Sequence, residues 1–337
     1  MINSIYQLVG TRTLVVKFED ISLGEQVIVR PDYLAICHAD QRYYLGQRDR
    51  AVLVEKLPMA LIHEATGVVV HDPSGTYATG QRVVLIPNIA GDIRTGAYEN
   101  YALGSGFRSS GYDGFLSEFV ALSPDRVFAI DGVAPEVAAI TEFVSVAAHA
   151  CTRFDTLAHQ TRDRLAIIGD GSMAYTVANV LKEHFPTSEI VILGRHQSKL
   201  ALFTFVDETY YSSTPPPDLS FDHAFECVGS QGSVEALELL IKHINPQGSI
   251  VMLGVSEKPV PVSTRMVLEK GLTLVGCSRS GRADFEQAVT LLKKPRFQQH
   301  IRQIIYLDNP VHTVADIKRV FTNDRITPFK TVFEWRV

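Results

Sequence analysis

"LAIIGDGSMAYTVANVL", residues 165–181, decides the fold. Its first part is an apolar run closed by a glycine, and its second part repeats apolar residues at helical spacing. Between them Gly169, Gly171 and Ala174 stand in the order G-x-G-x-x-A, with Ser172 and Met173 at the head of the helix. The first glycine permits a tight turn. The second lets the backbone approach a pyrophosphate, and the small third residue lets helix and strand pack closely. The N–H groups at the start of the helix, at Ser172 and Met173, then face the phosphates. A glycine turn of this spacing is weak evidence alone. Here it follows an apolar strand, opens a helix and starts a βαβ unit, and in that context it reads as a dinucleotide loop.

The same rhythm continues downstream. "EIVILG" (189–194), "FDHAFECVG" (221–229), "GSIVMLGV" (248–255) and "LTLVGCS" (272–278) are apolar runs separated by helical stretches. This alternation predicts an α/β unit with a doubly wound parallel sheet. Cys227 and Gly254, near the ends of two of those runs, are counted with the cofactor site. The end of the second strand reports on the cofactor. An NAD site places Asp or Glu there for the ribose hydroxyls, whereas "GRHQSKL" offers Arg195 and Lys199 and no acid. The expected cofactor is therefore NADPH, with Arg195 facing the 2′-phosphate.

Upstream the character differs. Residues 1–150 read as strands with irregular connections, including a long Gly, Ser, Asn and Tyr stretch at 88–114, then the helical "APEVAAITEFVSVAAHACTRF" (134–154). Long loops inside compact domains tend to be functional. The last forty residues read as strand, helix, strand and are expected to return to the first domain. The expected division is 1–150 completed by 296–337, with 151–295 as the cofactor domain.

Composition excludes several roles. With 46% hydrophobic and 20% charged residues and a net charge of −5, the chain has no global positive field for nucleic acid or anionic membrane. No apolar run nears the length of a membrane span, and "MINSIYQLVG" has no basic n-region or h-region of a signal peptide. The four cysteines, Cys37, Cys151, Cys227 and Cys277, have neither C-x-x-C nor disulfide-like spacing, which suits a reducing cytoplasm. Cys151, Cys227 and Cys277 read as small core residues.

Cys37 is the exception. "LIHEATGVVV" (61–70) puts His63 and Glu64 at the head of a strand that reads as buried. Two polar residues there either lie on a preceding loop or bind a metal. Cys37 and Asp40 lie upstream in "AICHADQRYYLGQRD" (35–49), and Glu142 lies downstream in "TEFVSVAAHAC" (141–151). Cysteine, histidine and carboxylate are the ligand types of catalytic zinc.

At these residues the chain resembles the zinc-dependent medium-chain dehydrogenases/reductases, over nearly its whole length. "CHAD" matches their C-x-[S/T]-D, "IHEATG" their G-H-E-x-x-G, and "TEFVSVAAHAC" their E-P-x-S-V-x-x-H-A. The resemblance implies a GroES-like β-rich catalytic domain joined to a Rossmann domain. It implies that Cys37 and His63 are zinc ligands, that Glu64 and Glu142 compete for the remaining protein position, and that Asp40 supports the ligands from behind. More narrowly, "ADQRYYLGQRD", "LPMALIHE", "FRSSGYDGF", "FDHAFECVGSQGS", "MLGVSEKPV" and "TRMVLEKGLTLVGCSRSG" are similar to ribulose-5-phosphate reductases. These make ribitol 5-phosphate for CDP-ribitol and so serve teichoic acid or capsule synthesis. That resemblance also implies a homodimer or homotetramer and a cytidylyltransferase as a partner.

Three departures matter. Ala39 stands where many members carry the Ser or Thr that relays a proton, so proton delivery falls to water, Glu142 or a substrate hydroxyl. Ile62 replaces the usual Gly, which is expected to alter the turn but not the ligands. The 88–114 loop holds no cysteine, so one catalytic zinc and no structural zinc is expected. A phosphorylated substrate needs local cations. Arg42 and Arg48 flank Tyr43 and Tyr44, Arg108 and Ser109 lie in the long loop, and Arg279 matches a substrate-side position of polyol dehydrogenases. The expected reaction is NADPH-dependent reduction of a small-molecule sugar phosphate, ribulose 5-phosphate. The same residues also allow another polyol or polyol phosphate, such as arabinitol phosphate, or a non-catalytic NADPH-binding protein.

Overall fold

The glycine-rich run folds as the strand Arg164–Ile168, a turn through Gly169–Gly171 and the helix Ser172–His184. This is seen in the computed structural model, which describes residues 1–92 and 97–337. Gly169 has φ +126, and a Cβ there would lie 3.1 Å from the Cys227 carbonyl oxygen, so only glycine fits. Ala174 is fully buried where the helix meets the sheet.

The strand extends into a six-stranded sheet, paired in parallel throughout. Its order is Glu208–Tyr211, Glu189–Gly194, Arg164–Ile168, His223–Glu226, Ser249–Met252, Thr273–Gly276. Counted along this unit the order is 3-2-1-4-5-6, the doubly wound arrangement whose direction of travel reverses between the first and fourth strands. Ala166, Val191, Ala224 and Ile250 of the sheet are buried with Leu237, Leu240 and Ile241 of the helix Gly232–His243. Each large apolar side chain so buried contributes about 1.5–3 kcal/mol.

The other unit is β-rich. Its larger sheet runs Val127–Ala129, Arg82–Leu85, Glu64–His71, Val27–Ala35, Lys330–Trp335, Ile305–Val311, and Val120–Leu122 also pairs with Val27–Ala35. A smaller sheet orders Thr13–Asp20, Ile2–Gly10 and Met59–Ala60. The C-terminal strand Lys330–Trp335 pairs antiparallel with Val27–Ala35 and parallel with Ile305–Val311, so the end of the chain is built into the sheet that carries Glu64. The 88–114 stretch is partly ordered, with Asn88–Ile89 pairing Gly106–Phe107 and a 3-10 turn at Glu99–Tyr101; residues 93–96 of that expected loop lie outside the described residues.

The chain divides into Met1–Ser145 with Ser280–Val337, and Val146–Arg279. The sequence reading put these changes at 150 and 296. The later difference arises because the helix Arg282–Leu292 belongs with the first unit: its Arg282 N–H donates to Glu99 Oε1 at 2.8 Å. Among the described residues no helix is long and apolar enough to cross a membrane.

Candidate functional site

The first unit brings Cys37, His63 and Glu64 together. Strand Val27–Ala35 ends just before Cys37, which caps the short helix His38–Tyr44, and the neighbouring strand begins at Glu64 with His63 directly before it. Ala35 and Glu64 are partners in the ladder, so the sheet register itself fixes the approach. One donor atom from each of Cys37, His63 and Glu64 lies within 4.8 Å of the other two. Three atoms bound to one tetrahedral zinc, each about 2.0–2.3 Å from it, lie about 3.3–3.8 Å apart, so small side-chain adjustments close the set.

The fit to a cation rests on more than distance. Glu64 is fully buried; its Oε1 accepts from Lys330 Nζ, while its Oε2 is buried without a hydrogen-bond partner among the described residues. A bare carboxylate oxygen in the interior is costly unless a donor or an ion meets it. His63 points the same way. Burial opposes its charge, but Asp40 and then Cys37 outweigh this and hold the imidazole well above its ordinary range. The pocket favours positive charge at that ring. The donor set, a thiol, an imidazole and a carboxylate, is that of catalytic zinc.

Asp40 ties Cys37 and His63 together. Its Oδ1 lies 3.4 Å from His63 Nδ1 and accepts from Ser109 Oγ at 2.6 Å and from the Ile62 N–H at 3.0 Å; its Oδ2 accepts from the Cys37 N–H at 3.2 Å. One carboxylate thus fixes both the turn that carries Cys37 and the turn that carries His63. Burial works against its charge, yet His63, Ser109 and Ile62 hold it below the usual carboxylate range. Ile62 takes the left-handed conformation at φ +71, rare for a β-branched residue, and is locked there by bonds from its N–H to Asp40 and from the Phe115 N–H to its carbonyl at 2.7 Å.

Glu142, in the first turn of helix Thr141–Leu157, stands beside this trio rather than within it. Burial first, then the charge of Glu64, pushes its carboxyl up to about 7. Lys330 was not foreseen from the sequence. It is 5% exposed, donates also to the Ile36 carbonyl at 2.9 Å, and sits 4.6 Å from the Phe143 ring centre. A lysine in "KTVFEW" carries no signal of burial; only the sheet pairing brings it to Glu64.

The predicted substrate-side residues are spread differently. Arg42 is buried on the helix His38–Tyr44, and the Arg48 guanidinium lies 4.8 Å from the Tyr43 ring centre. Arg108 donates to the carbonyls of Asp113 at 3.1 Å and Ala121 at 3.2 Å, so its fork is engaged in shaping the loop. Ser109 faces Asp40, as above. Arg279 ends the second unit at φ +58.

The second unit holds a cavity of about 600 Å³ at its switch point, lined by Gly169, Gly171, Arg195, His196, Ser212 and Cys227 among others. A Cβ on Gly171 would meet no atom within 4 Å, so the backbone there stands bare toward the cavity. Arg195 borders it and pairs with Glu235 at 3.2 Å; both side chains are exposed, so that pair is weak and readily exchanged for a phosphate. An acid does stand near the second strand, but it comes from the glycine turn. Asp170 Oδ2 accepts the N–H groups of Arg195 and His196, both at 2.7 Å, and so shapes this corner. Lys199 lies on the short helix Gln197–Leu200 and is not among the lining residues, nor are Ser172, Met173 and Gly254.

Two family models match the chain: the alcohol dehydrogenase GroES-like domain over residues 24–132 and the zinc-binding dehydrogenase over residues 217–294. With the Cys–His–Glu set in one unit and the Rossmann cavity in the other, the chain belongs to the zinc-dependent medium-chain dehydrogenase/reductase family and is an oxidoreductase. Within that family it is 52% identical to the ribulose-5-phosphate reductase of Streptococcus pneumoniae, covering 100% of this chain and 98% of the relative. It is 43% identical to the ribulose-5-phosphate reductase of Bacillus spizizenii, covering 100% of each. The crystal structure of S. aureus TarJ in complex with NADPH matches with a TM-score of 0.89 at 40% identity, covering 100% of both chains.

Proposed function

We propose that this chain reduces D-ribulose 5-phosphate to D-ribitol 5-phosphate, with NADPH as hydride donor and one zinc held by Cys37, His63 and Glu64. The observation that carries the reading is a Cys–His–Glu set with buried His63 and Glu64 and a bare carboxylate oxygen, in a chain similar along its whole length to enzymes of that name. Zinc bound there supplies Lewis acidity toward a ketone oxygen. NADPH bound in the second unit supplies the hydride.

The protein's own residues do the rest. Asp40 holds His63 and Cys37 in register, and Lys330 engages one oxygen of Glu64 and leaves the other for the metal. Ala39 offers no hydroxyl, and Glu142, beside the trio, is the chain's own group that would pass a proton to the carbonyl oxygen of the substrate. Arg42 and Arg48 grip the substrate phosphate, while Arg108 supports their surroundings through its carbonyl bonds. Gly171 lets the pyrophosphate approach, and Arg195 leaves Glu235 for the 2′-phosphate.

The same reading has the chain act in a reducing cytoplasm, where its four free cysteines persist, as a homodimer or homotetramer supplying a cytidylyltransferase that makes CDP-ribitol. The test follows NADPH absorbance with ribulose 5-phosphate, with NADH as the control cofactor and with arabinitol phosphate plus NADP+ as the control in the oxidising direction. NADPH consumption that a chelator abolishes and zinc restores is expected. Zinc-loaded protein that leaves ribulose 5-phosphate untouched but turns over another phosphorylated polyol would transfer the reading to that substrate.

A further inference from the structure

The strand His223–Glu226 ends in a carboxylate that the chemistry above does not use. Glu226 is 1% exposed. Its Oε1 accepts the N–H groups of Val228 at 2.8 Å and Gly229 at 3.1 Å and the Ser233 hydroxyl at 3.0 Å. Its Oε2 accepts the Gly254 N–H at 3.1 Å. Four donors from three segments converge on it: the turn after its own strand, the start of helix Gly232–His243, and the turn after Ser249–Met252. A Cβ on Gly254 would lie 2.4 and 2.5 Å from the two carboxylate oxygens, so the approach admits only glycine. The first turn is also strained. Gly229 and Ser230 are left-handed, at φ +74 and +54, and a non-glycine residue stays there only where its surroundings hold it.

The position in the sheet gives the carboxylate a use. Glu226 is the ladder partner of Ile168, across the point where strand order reverses. In this topology the first three strands serve one nucleotide and the last three the other. Arg195, His196 and Ser212 end strands of the first group, whereas Glu226 ends the fourth strand, and Cys227 and Val228 of its turn line the cavity. We propose that Glu226 is a positioning residue for the nicotinamide half of the dinucleotide: it holds the turns Cys227–Ser230 and Leu253–Val255 in the shape that half requires and leaves the adenosine half alone. Gly254 then serves the cofactor site through Glu226 and not by facing the cavity. The proposal rests on the NADPH reading above.

Glu226→Gln keeps size but replaces an acceptor oxygen with a donor, setting N–H against N–H. The zinc-loaded full chain and this variant are titrated with NADPH and with 2′,5′-ADP, which carries only the adenosine half and its 2′-phosphate. The variant should bind NADPH about tenfold more weakly, the scale of a lost bond to a charged group, with 2′,5′-ADP affinity kept within about twofold. Equal weakening of both probes would make Glu226 a general structural residue and overturn the proposal, as would unchanged NADPH affinity. Wild-type protein that binds neither probe would refute the NADPH reading itself, a distinct failure. Should Glu226→Gln not fold, Ser233→Ala removes one donor and no charge; about threefold weaker NADPH with unchanged 2′,5′-ADP is the expected result, and no change for either overturns the proposal.

Discussion

Lys330 and Glu64 stand 266 positions apart in the sequence, yet they form one buried ion pair beside Cys37 and His63. Removing one partner of such a pair leaves an uncompensated charge and costs about 3–5 kcal/mol. Lys330→Met keeps length and apolar contact with Phe143 but strands Glu64. Since a metal ion is the other positive partner available to that carboxylate, the loss in urea-unfolding stability should be larger in chelator-treated protein than in zinc-loaded protein. An equal loss in both would mean that Glu64 gains nothing from the ion. At this scale the sequence was informative about chemistry and silent about neighbours. The meeting of Cys37, His63 and Glu64, with Asp40 beside His63, was legible because these are residue types that suit zinc. Lys330 was not, because a lysine in a strand ordinarily faces water. The bond from Ser109 to Asp40 was equally silent, because it exists only in three dimensions.

Among elements, the segment Gly114–Leu116 controls where His63 stands. The N–H groups of Gly114, Phe115 and Leu116 donate to the carbonyls of Ala60, Ile62 and Leu61 at 2.8, 2.7 and 3.2 Å. A Cβ on Gly114 would lie 2.3 Å from the Ile62 carbonyl oxygen and 2.5 Å from that of Leu61, both backbone atoms that cannot swing aside. Gly114→Ala should cost about 1–3 kcal/mol of overpacking and, by displacing the residue before His63, lower zinc affinity in a chelator competition. Unchanged affinity would show that the ligand turn is held by Asp40 alone. A second element gives a pH dependence. His223, fully buried on its strand, has Nε2 3.0 Å from the Thr161 carbonyl and accepts the Ser249 N–H on Nδ1 at 3.0 Å, an arrangement that fits only the neutral ring. Burial first, then His159, drives it down to about 4 from its ordinary 6.5. The unfolded chain therefore binds the extra proton first. The stabilisation is complete above about pH 6.5 and is lost as pH falls through about 4, a loss on the order of 3 kcal/mol by then. The stability gap between wild type and His223→Gln should narrow from pH 7 to pH 4; a constant gap would exclude this histidine as the source. The strands and helices around these sites were legible from periodicity, but the close backbone approach at Gly114 was not, since a glycine in a loop motif reads only as a turn.

The molecule as a whole is a discontinuous chain: its first unit is interrupted by its second and resumed at Ser280. The alternation of strands and helices made the second unit legible, and the return of the C-terminus followed from the strand–helix–strand ending. The point of return did not. Helix Arg282–Leu292 follows strand Thr273–Gly276 as any crossover helix would, and it is the bonds of Arg282 to Glu99 and to the carbonyls of Asp125 and Val127 that tie it to the first unit. Each unit has its own core and its own candidate ligand site, and on the proposed function this makes their stabilities separable. A ligand that binds only the folded form stabilises by about 2.7 kcal/mol when held at a hundredfold over its dissociation constant, equivalent to about a hundredfold in amide protection. Chelation of zinc-loaded protein should therefore lower hydrogen-exchange protection in strands Val27–Ala35 and Glu64–His71 while Arg164–Ile168 and His223–Glu226 keep theirs. NADPH should raise protection in the second pair of strands and leave the first pair unchanged. If chelation instead lowered protection equally in all four strands, the metal would be supporting one cooperative fold, and two locally stabilised units would be the wrong description of this chain.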